Sequence, residues 1–431
     1  MTIPDRSTLR GRRAPTTWQA LSYLYRPERF FTAAHRRYGD AFVMRLLGER
    51  WVVLAHPNAV REVFGLSPTE ATSGEPNHVL RPVIGTRNLL LMDGQEHLHR
   101  RRMVLPTLHG ESIRRHEATI AHATAREIAS WPRGVAFSVQ PSVEALIFAT
   151  TARCVLGVET TARLQAAAKA LLQMFDWITS PRCLLVFFLL GPERLMRLPR
   201  FRRQLQIIDQ AIQAEIDHRR RSSDLHQHLD ILSLLIQARD AAGSQLSDDE
   251  LRDEVVTLLL AGYQNTATTI AWAAHELAHS PDSQERLHAE PHTVDAVIDE
   301  TLRLHPPVPL VVRRLQRPAT IAGRRLPAGT NVCPCAFLVH RRADLYPQPL
   351  TFRPERWQGS RPTASEWFPF GGALRRCPGA AFARLETRIA LQEISRSIRL
   401  VPQRAQRERS RARAIILAPV RGSRLIAQCR A

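Results

Sequence analysis

The sequence predicts a mainly helical fold carrying small β-sheets, and three observations predict it. One capped, largely apolar segment runs without a breaker from Ser247 to Ser280, just before Pro281. Three pairs of short β-rich segments bracket turn residues. The remainder reads as helix, with 29 prolines scattered as stops rather than gathered into a hinge.

The long helix starts at Ser247-Asp248-Asp249-Glu250, a capping box in which the serine oxygen and the glutamate satisfy the first free amides. At 1.5 Å per residue its roughly 33 residues span about 50 Å, enough to cross a core. VVTLLLA (255 to 261) is apolar, but Gly262-Tyr263-Gln264-Asn265-Thr266 is not, and Thr268 and Thr269 follow. A buried polar patch needs partners. Either these side chains satisfy one another and nearby carbonyls, or Gly262 leaves room for a ligand beside the helix; the residues alone leave both open.

The strand pairs are AFVMRLL (41 to 47) with WVVLA (51 to 55) around Gly48-Glu49-Arg50, and ATIA (319 to 322) with the segment beyond Pro327-Ala328-Gly329. AIILA (414 to 418) with RLIAQC (424 to 429) around Arg421-Gly422-Ser423 is the third. A β-rich lobe is thus expected mainly from 41–60, 310–335 and 414–429. No repeat or low-complexity linker divides the chain, so 1–431 reads as a single domain.

Hydrophobic residues at 44% and charged residues at 23% fit a globular protein rather than a disordered or fibrous one. Sixty basic residues against forty acidic leave a formal +20, and Lys169 is the only lysine. Such a surface favours acidic partners. The arginines are spread along the chain with no zinc-finger, basic-zipper or ribonucleoprotein signature, so a solvated surface accounts for them and nucleic acid is not an expected partner. Six cysteines (154, 183, 333, 335, 377 and 429) are too few and too irregular for a secreted disulfide framework, which points to a reducing cytoplasm. Cys333 and Cys335 lack a second metal-ligand pair and read as packing. The first residues lack the apolar core of a signal peptide, and no run approaches the length of a transmembrane anchor. The longest apolar run, Cys183 to Leu190, is too short.

The strongest local signal is Phe370-Gly371-Gly372-Ala373-Leu374-Arg375-Arg376-Cys377-Pro378-Gly379, followed by helix-forming AAFARLETRIALQEI. A cysteine between a glycine-rich loop and a helix start meets backbone amides and a helix N-terminus that favour the thiolate, a ligand for iron. This segment resembles the haem-binding signature of the cytochrome P450 family, Phe-x-x-Gly-x-Arg-x-Cys-x-Gly, at Phe370, Arg375, Cys377 and Gly379, with Ala373 at one signature glycine. Glu300-Thr301-Leu302-Arg303 resembles the family's Glu-x-x-Arg motif, and Phe352-Arg353-Pro354-Glu355-Arg356-Trp357 its Pro-Glu-Arg-aromatic motif. His97 and Arg101, four apart on one helix side, resemble the family's propionate-gripping pair, and Arg313 and Arg375 fall at its other propionate positions.

The resemblance spans nearly the whole chain. It implies the family's triangular prism with a small β-rich lobe and a long central helix crossing over one haem b, iron protoporphyrin IX, ligated axially by Cys377. It makes Glu300, Arg303 and Arg356 a buried structural network. Chamber walls are implied at Gly74 to Leu91, Leu259, Ala261, Val308, Leu310, Val311 and the turn near Ile415-Ile416, with Cys183 to Leu190 as roof or ordinary helix core. These surroundings are apolar and suggest a lipophilic small-molecule substrate: a fatty acid, a terpenoid or a natural-product intermediate of secondary metabolism. Oxygen would come from O2. With no reductase segment in view, electrons are expected from a separate acidic donor, a ferredoxin or flavodoxin with its reductase.

One departure bears on chemistry. Where the family usually carries Ala-Gly-x-(Asp/Glu)-Thr, this chain reads Ala261-Gly262-Tyr263-Gln264-Asn265-Thr266. Gln264 and Asn265 replace the acid and alcohol that organise proton-delivering water. Both amides hold water but neither ionises, so protons would come from Thr266, a water chain, the substrate or another route. Two readings follow: an ordinary monooxygenase whose amides order water, or a specialised enzyme that uses peroxide or couples, cyclises or desaturates its substrate. A haem protein that only senses or carries a ligand is the competing class outside catalysis.

Overall fold

The apolar run after Ser247 forms a 31-residue helix, Asp248–Ala278, through the middle of the main hydrophobic core. Its start is the capping box read from sequence: Ser247 Oγ accepts the Glu250 amide at 3.3 Å and the Glu250 carboxylate accepts the Ser247 amide at 2.9 Å. Nearly every residue from Thr266 to Ala278 is buried, because helices pack on it from all sides, chiefly Val139–Leu156 and Ala380–Ser397. Burial all round requires an apolar sequence all round. The computed structural model describes residues 9–430 apart from 12–13, 47–48, 158–161, 181–182, 184–196 and 360. The expected roof, Cys183 to Leu190, lies outside the described residues except for Cys183, which is buried.

The largest sheet has five strands in the order β1-β2-β8-β5-β3. β1 (Ala41–Leu46) and β2 (Glu49–Leu54) form the expected antiparallel hairpin, with Leu46 opposite Glu49. Strand β2 therefore starts inside the segment expected to turn. It runs parallel to β8 (Asn331–Pro334), which pairs antiparallel with β5 (Arg313–Leu315), and β3 (Ala71–Thr72) closes the edge.

The other two expected pairings are corrected. β6 (Ala319–Ile321) pairs with β7 (Arg324–Leu326), not with the segment beyond Pro327. Ala322 and Gly323 adopt φ of 53° and 70°, so the chain reverses within two residues. The fully buried β8 is thereby free to enter the main sheet. β11 (Ile416–Pro419) pairs with β10 (Ser410–Arg413), whereas β12 (Arg424–Cys429) lies between β4 (Ala136–Ser138) and β9 (Ile398–Pro402). The turn between β11 and β12 docks instead of closing a hairpin: Ser423 Oγ donates to the Ala271 carbonyl of the central helix at 2.7 Å.

Candidate active site

Cys377 follows a loop held by its own backbone. Its amide donates to Phe370 O at 2.9 Å, the Gly371 amide to Phe368 O at 3.0 Å and the Arg376 amide to Ala373 O at 3.1 Å. Ala373, where the family signature has glycine, keeps the left-handed φ of 54° that glycine adopts freely; this costs an alanine about 1 kcal/mol. Gly372 is required sterically, because a Cβ there would strike the Phe64 ring at 2.3 Å. Gly379 is different: a Cβ on it would meet nothing within 4 Å. Packed atoms crowd Cys377, yet its surface is accessible, so it borders an opening within the fold. Burial pushes the thiol up, and the Gly379 amide, Arg101 and Arg376 offset that only in part. Iron would supply the missing positive charge on binding.

Beside the cysteine, three guanidinium groups and one neutral imidazole converge. His97 lies on Gly94–Val104, where burial and the charges of Arg375, Arg101 and Arg313 push its pKa down to about 3. Arg313 and Arg375 are each pushed down to about 10, chiefly by burial. Arg101 also falls through burial, opposed by the pull of Cys377. The acid at hand is Asp93, 4.0 Å from Arg375, and its oxygens already accept the amides of Ser73, Gly74 and Glu75. Arg375 meanwhile donates to the carbonyls of Met92 at 2.6 Å and Leu90 at 3.0 Å. A buried cation cluster without matching anions is set for a dicarboxylate. Arg100, within the same basic run, faces away: it is buried against Glu250 and Glu254, and donates to Arg87 O at 3.3 Å.

On the central helix, Ala261 is exposed although its neighbour Leu260 is buried, so an internal space opens there. Asn265, one turn on, donates to Ala261 O at 3.2 Å. The side-chain oxygens of Asn265 and of buried Gln264 have no hydrogen-bond partner among the described residues. Three candidates on this helix point away from the Ala261 opening. Beside Gly262 stands Thr151, its Cγ2 3.0 Å from where a Cβ on the glycine would be. Thr266, about 140° round the helix from Ala261, is buried and donates to Gly262 O at 2.9 Å, so its hydroxyl proton is committed. Leu259, about 200° round from Ala261, lines a separate pocket of about 420 Å³ with Phe148, Leu172, Ile208 and Ile212.

Among the other chamber candidates, Val308 and Val311 are half-buried, and Val311 Cγ2 lies 4.0 Å from the position a Cβ on Gly371 would take. Leu310 packs against the small-lobe core, and Ile416 is buried in β11, leaving Ile415 exposed at the turn. Residues 84–91 are fastened to the central helix. Asp253 accepts the Thr86 and Arg87 amides at 2.8 Å each, and Glu254 accepts the Leu89 amide at 2.7 Å. Sequence gave no signal for these contacts, since acids near a helix start read as dipole partners.

Glu300, Arg303 and Arg356 come together. Arg303, with no exposed surface, donates to both Glu300 oxygens at 2.8 and 2.9 Å and to the carbonyls of His340 and Pro349. Arg356 and the Trp357 indole each donate to Glu300 at 3.0 Å. Trp357 was visible only as a motif aromatic; its indole completes the carboxylate's shell.

The residues present fit haem b: a sulfur at an internal opening, a cradle at Gly379 that a side chain would fill, and buried cations lacking anions. The comparisons agree with this geometry. The family model described as cytochrome P450 matches residues 10–424. The chain is 37% identical to the putative cytochrome P450 135B1 of Mycobacterium bovis and of Mycobacterium tuberculosis, covering 96% of this chain and 90% of the relative. It is 33% identical to the putative cytochrome P450 137 of Mycobacterium tuberculosis, covering 94% and 87%. The solved structure titled "Retinoic acid bound cyanobacterial CYP120A1" superposes with a TM-score of 0.85 at 21% identity over 98% of this chain and 99% of that one. The cytochrome P450DA heme domain gives 0.81 at 19% identity over 98% of each.

Proposed function

The chain belongs to the cytochrome P450 family, haem b oxidoreductases of the monooxygenase type, and from that premise we propose that it inserts one oxygen atom from O2 into a lipophilic small molecule. The substrate class is a fatty acid, terpenoid or natural-product intermediate, and electrons come from a separate acidic donor, a ferredoxin or flavodoxin with its reductase. The whole chain acts as one domain, in the cytoplasm. No described helix is long and apolar enough to cross a membrane.

The observation that carries this reading is the meeting of an accessible Cys377 with buried His97 and Arg313 and half-buried Arg101 and Arg375, a group with more cations than anions. In this assignment the Cys377 sulfur would hold the iron as its thiolate. Arg313, Arg375 and Arg101 would hold the two propionates, and neutral His97 would donate one ring N–H to them. Phe370 and Gly379 would shape the loop that faces the cofactor. Thiolate-ligated haem supplies the oxidising power, the sulfur donating electron density that favours O–O cleavage. Ala261, Asn265, Val308 and Val311 bound the space where a C–H bond is positioned. The free oxygens of Gln264 and Asn265 accept hydrogen bonds from water and orient it, without holding an ionisable proton.

That last point favours a second reading, a specialised enzyme driven by peroxide or performing coupling, cyclisation or desaturation. With Thr266 bonded into its helix, Gln264, Asn265 and Thr266 offer no free hydroxyl or acid for proton delivery. The carbon monoxide difference spectrum of the reduced protein, beside Cys377→Ala, tests the first assignment. A long-wavelength Soret band lost in the variant is expected; haem absent from folded wild-type protein would overturn it. Turnover with a supplied donor and O2, against turnover with peroxide alone, separates the two readings.

A further inference from the structure

The helix Thr16–Tyr25, TTWQALSYLY, contains no charged residue, yet it lies on the surface. Gln19, Ala20, Tyr23 and Leu24 dock it onto the small lobe, and its outer side carries a second apolar row. Trp18 is 67% exposed, Leu21 38% and Tyr25 59%. Steps of three and four residues make them adjacent on one helical face. A helix apolar on both sides belongs between two apolar phases, and the structure supplies one.

Charge identifies the other. Arg26 follows Tyr25 directly, Arg29 lies one turn further on, and Arg10 bonds through its backbone to Val43 of the strand this helix packs on; all three are exposed, and no ion pair holds them among the described residues. Glu28, at the start of the next helix, is turned inward, accepting Ser410 Oγ at 2.6 Å and the Ser410 amide at 3.0 Å. Trp, Tyr and Leu set among unpaired arginines match the boundary between anionic headgroups and acyl chains. A second copy fits worse, since a symmetric contact would face this cationic row with itself on a chain of net charge +20.

We propose that Trp18, Leu21 and Tyr25, with Arg10, Arg26 and Arg29, form a surface by which the protein lies on anionic lipid bilayers without crossing them. This proposal does not depend on the catalytic reading. The test is co-sedimentation of full-length haem-loaded protein with vesicles of pure phosphatidylglycerol and of pure phosphatidylcholine, at low and high salt. Binding to phosphatidylglycerol alone, weakened by salt, is expected. The triple variant Trp18→Ser/Leu21→Ser/Tyr25→Ser should bind at least about tenfold more weakly, with its carbon monoxide spectrum unchanged as the check on folding. Failure to bind phosphatidylglycerol at low salt would overturn the proposal. So would equal binding by the triple variant, self-association abolished by that variant in place of vesicle binding, or single-stranded DNA bound through the same residues.

Discussion

Glu386 sits on the buried side of the helix Ala380–Ser397, where Thr150 donates to its Oε1 at 2.9 Å and Thr151 at 3.5 Å. Its other oxygen has no partner among the described residues, and burial raises its pKa from 4.5 to about 8. The pocket therefore holds the neutral acid at pH 7. In the unfolded chain the carboxyl ionises near 4.5, so its contribution to stability is complete below that pH and is lost as pH rises to about 8. The slope reaches about 1.4 kcal/mol per pH unit. Glu386→Gln is expected to remove it, read by urea unfolding across that window; an unchanged slope would mean that the folded protein holds the ionised form. Glu300 is a buried carboxyl with a full set of donors. Its carboxylate is surrounded by donors from Arg303, Arg356, Trp357 and the Arg353 amide. The motif resemblance announced Glu300 and Arg303. Nothing local announced Glu386, whose partners lie more than 230 residues away.

At the scale of elements, the central helix and Val139–Leu156 approach closely where Gly262 meets Thr151. Gly262→Ala places a methyl 3.0 Å from Thr151 Cγ2, a crowding expected to cost about 1 kcal/mol. Thr151→Ser removes that methyl and should restore stability in the Gly262→Ala background. Chemical denaturation of the four proteins of this cycle measures the coupling, and additive effects would place the constraint elsewhere. Helix existence and its cap were legible, because the capping box and apolar run are short-range signals. Rotation was not. Which way Leu259, Gly262 and Thr266 point depends on how neighbouring helices seat against this one. Strand partners failed for the same reason: β12 joins β4 and β9 from distant parts of the chain.

For the whole molecule, the buried cations around Cys377 make folding and haem loading interdependent. Without an anion, Arg313 and Arg375 repel one another in a dry setting, so removal of haem should lower Tm. Arg313→Leu relieves that repulsion in the haem-free protein while removing a propionate partner in the loaded one. The expected outcome is a smaller Tm difference between loaded and haem-free forms. Calorimetry of both forms of each protein measures it. An unchanged difference would show that Arg313 does not face the cofactor.

The sequence by itself determined the long capped helix, because its capping box and apolar run are residue types at fixed short spacing, and its motif resemblance pointed to the Cys377 loop and to the Glu300, Arg303 and Arg356 set. It also determined that Gln264 and Asn265 stand where an acid and an alcohol are usual. Tertiary structure alone decided which sides of those elements meet. It turned Gly262 toward Thr151, committed the Thr266 hydroxyl to its own helix and gathered His97, Arg101, Arg313 and Arg375 around one opening. It also left Trp18, Leu21 and Tyr25 outward. Those outcomes are set by packing and desolvation between segments far apart in the chain, which no local pattern records.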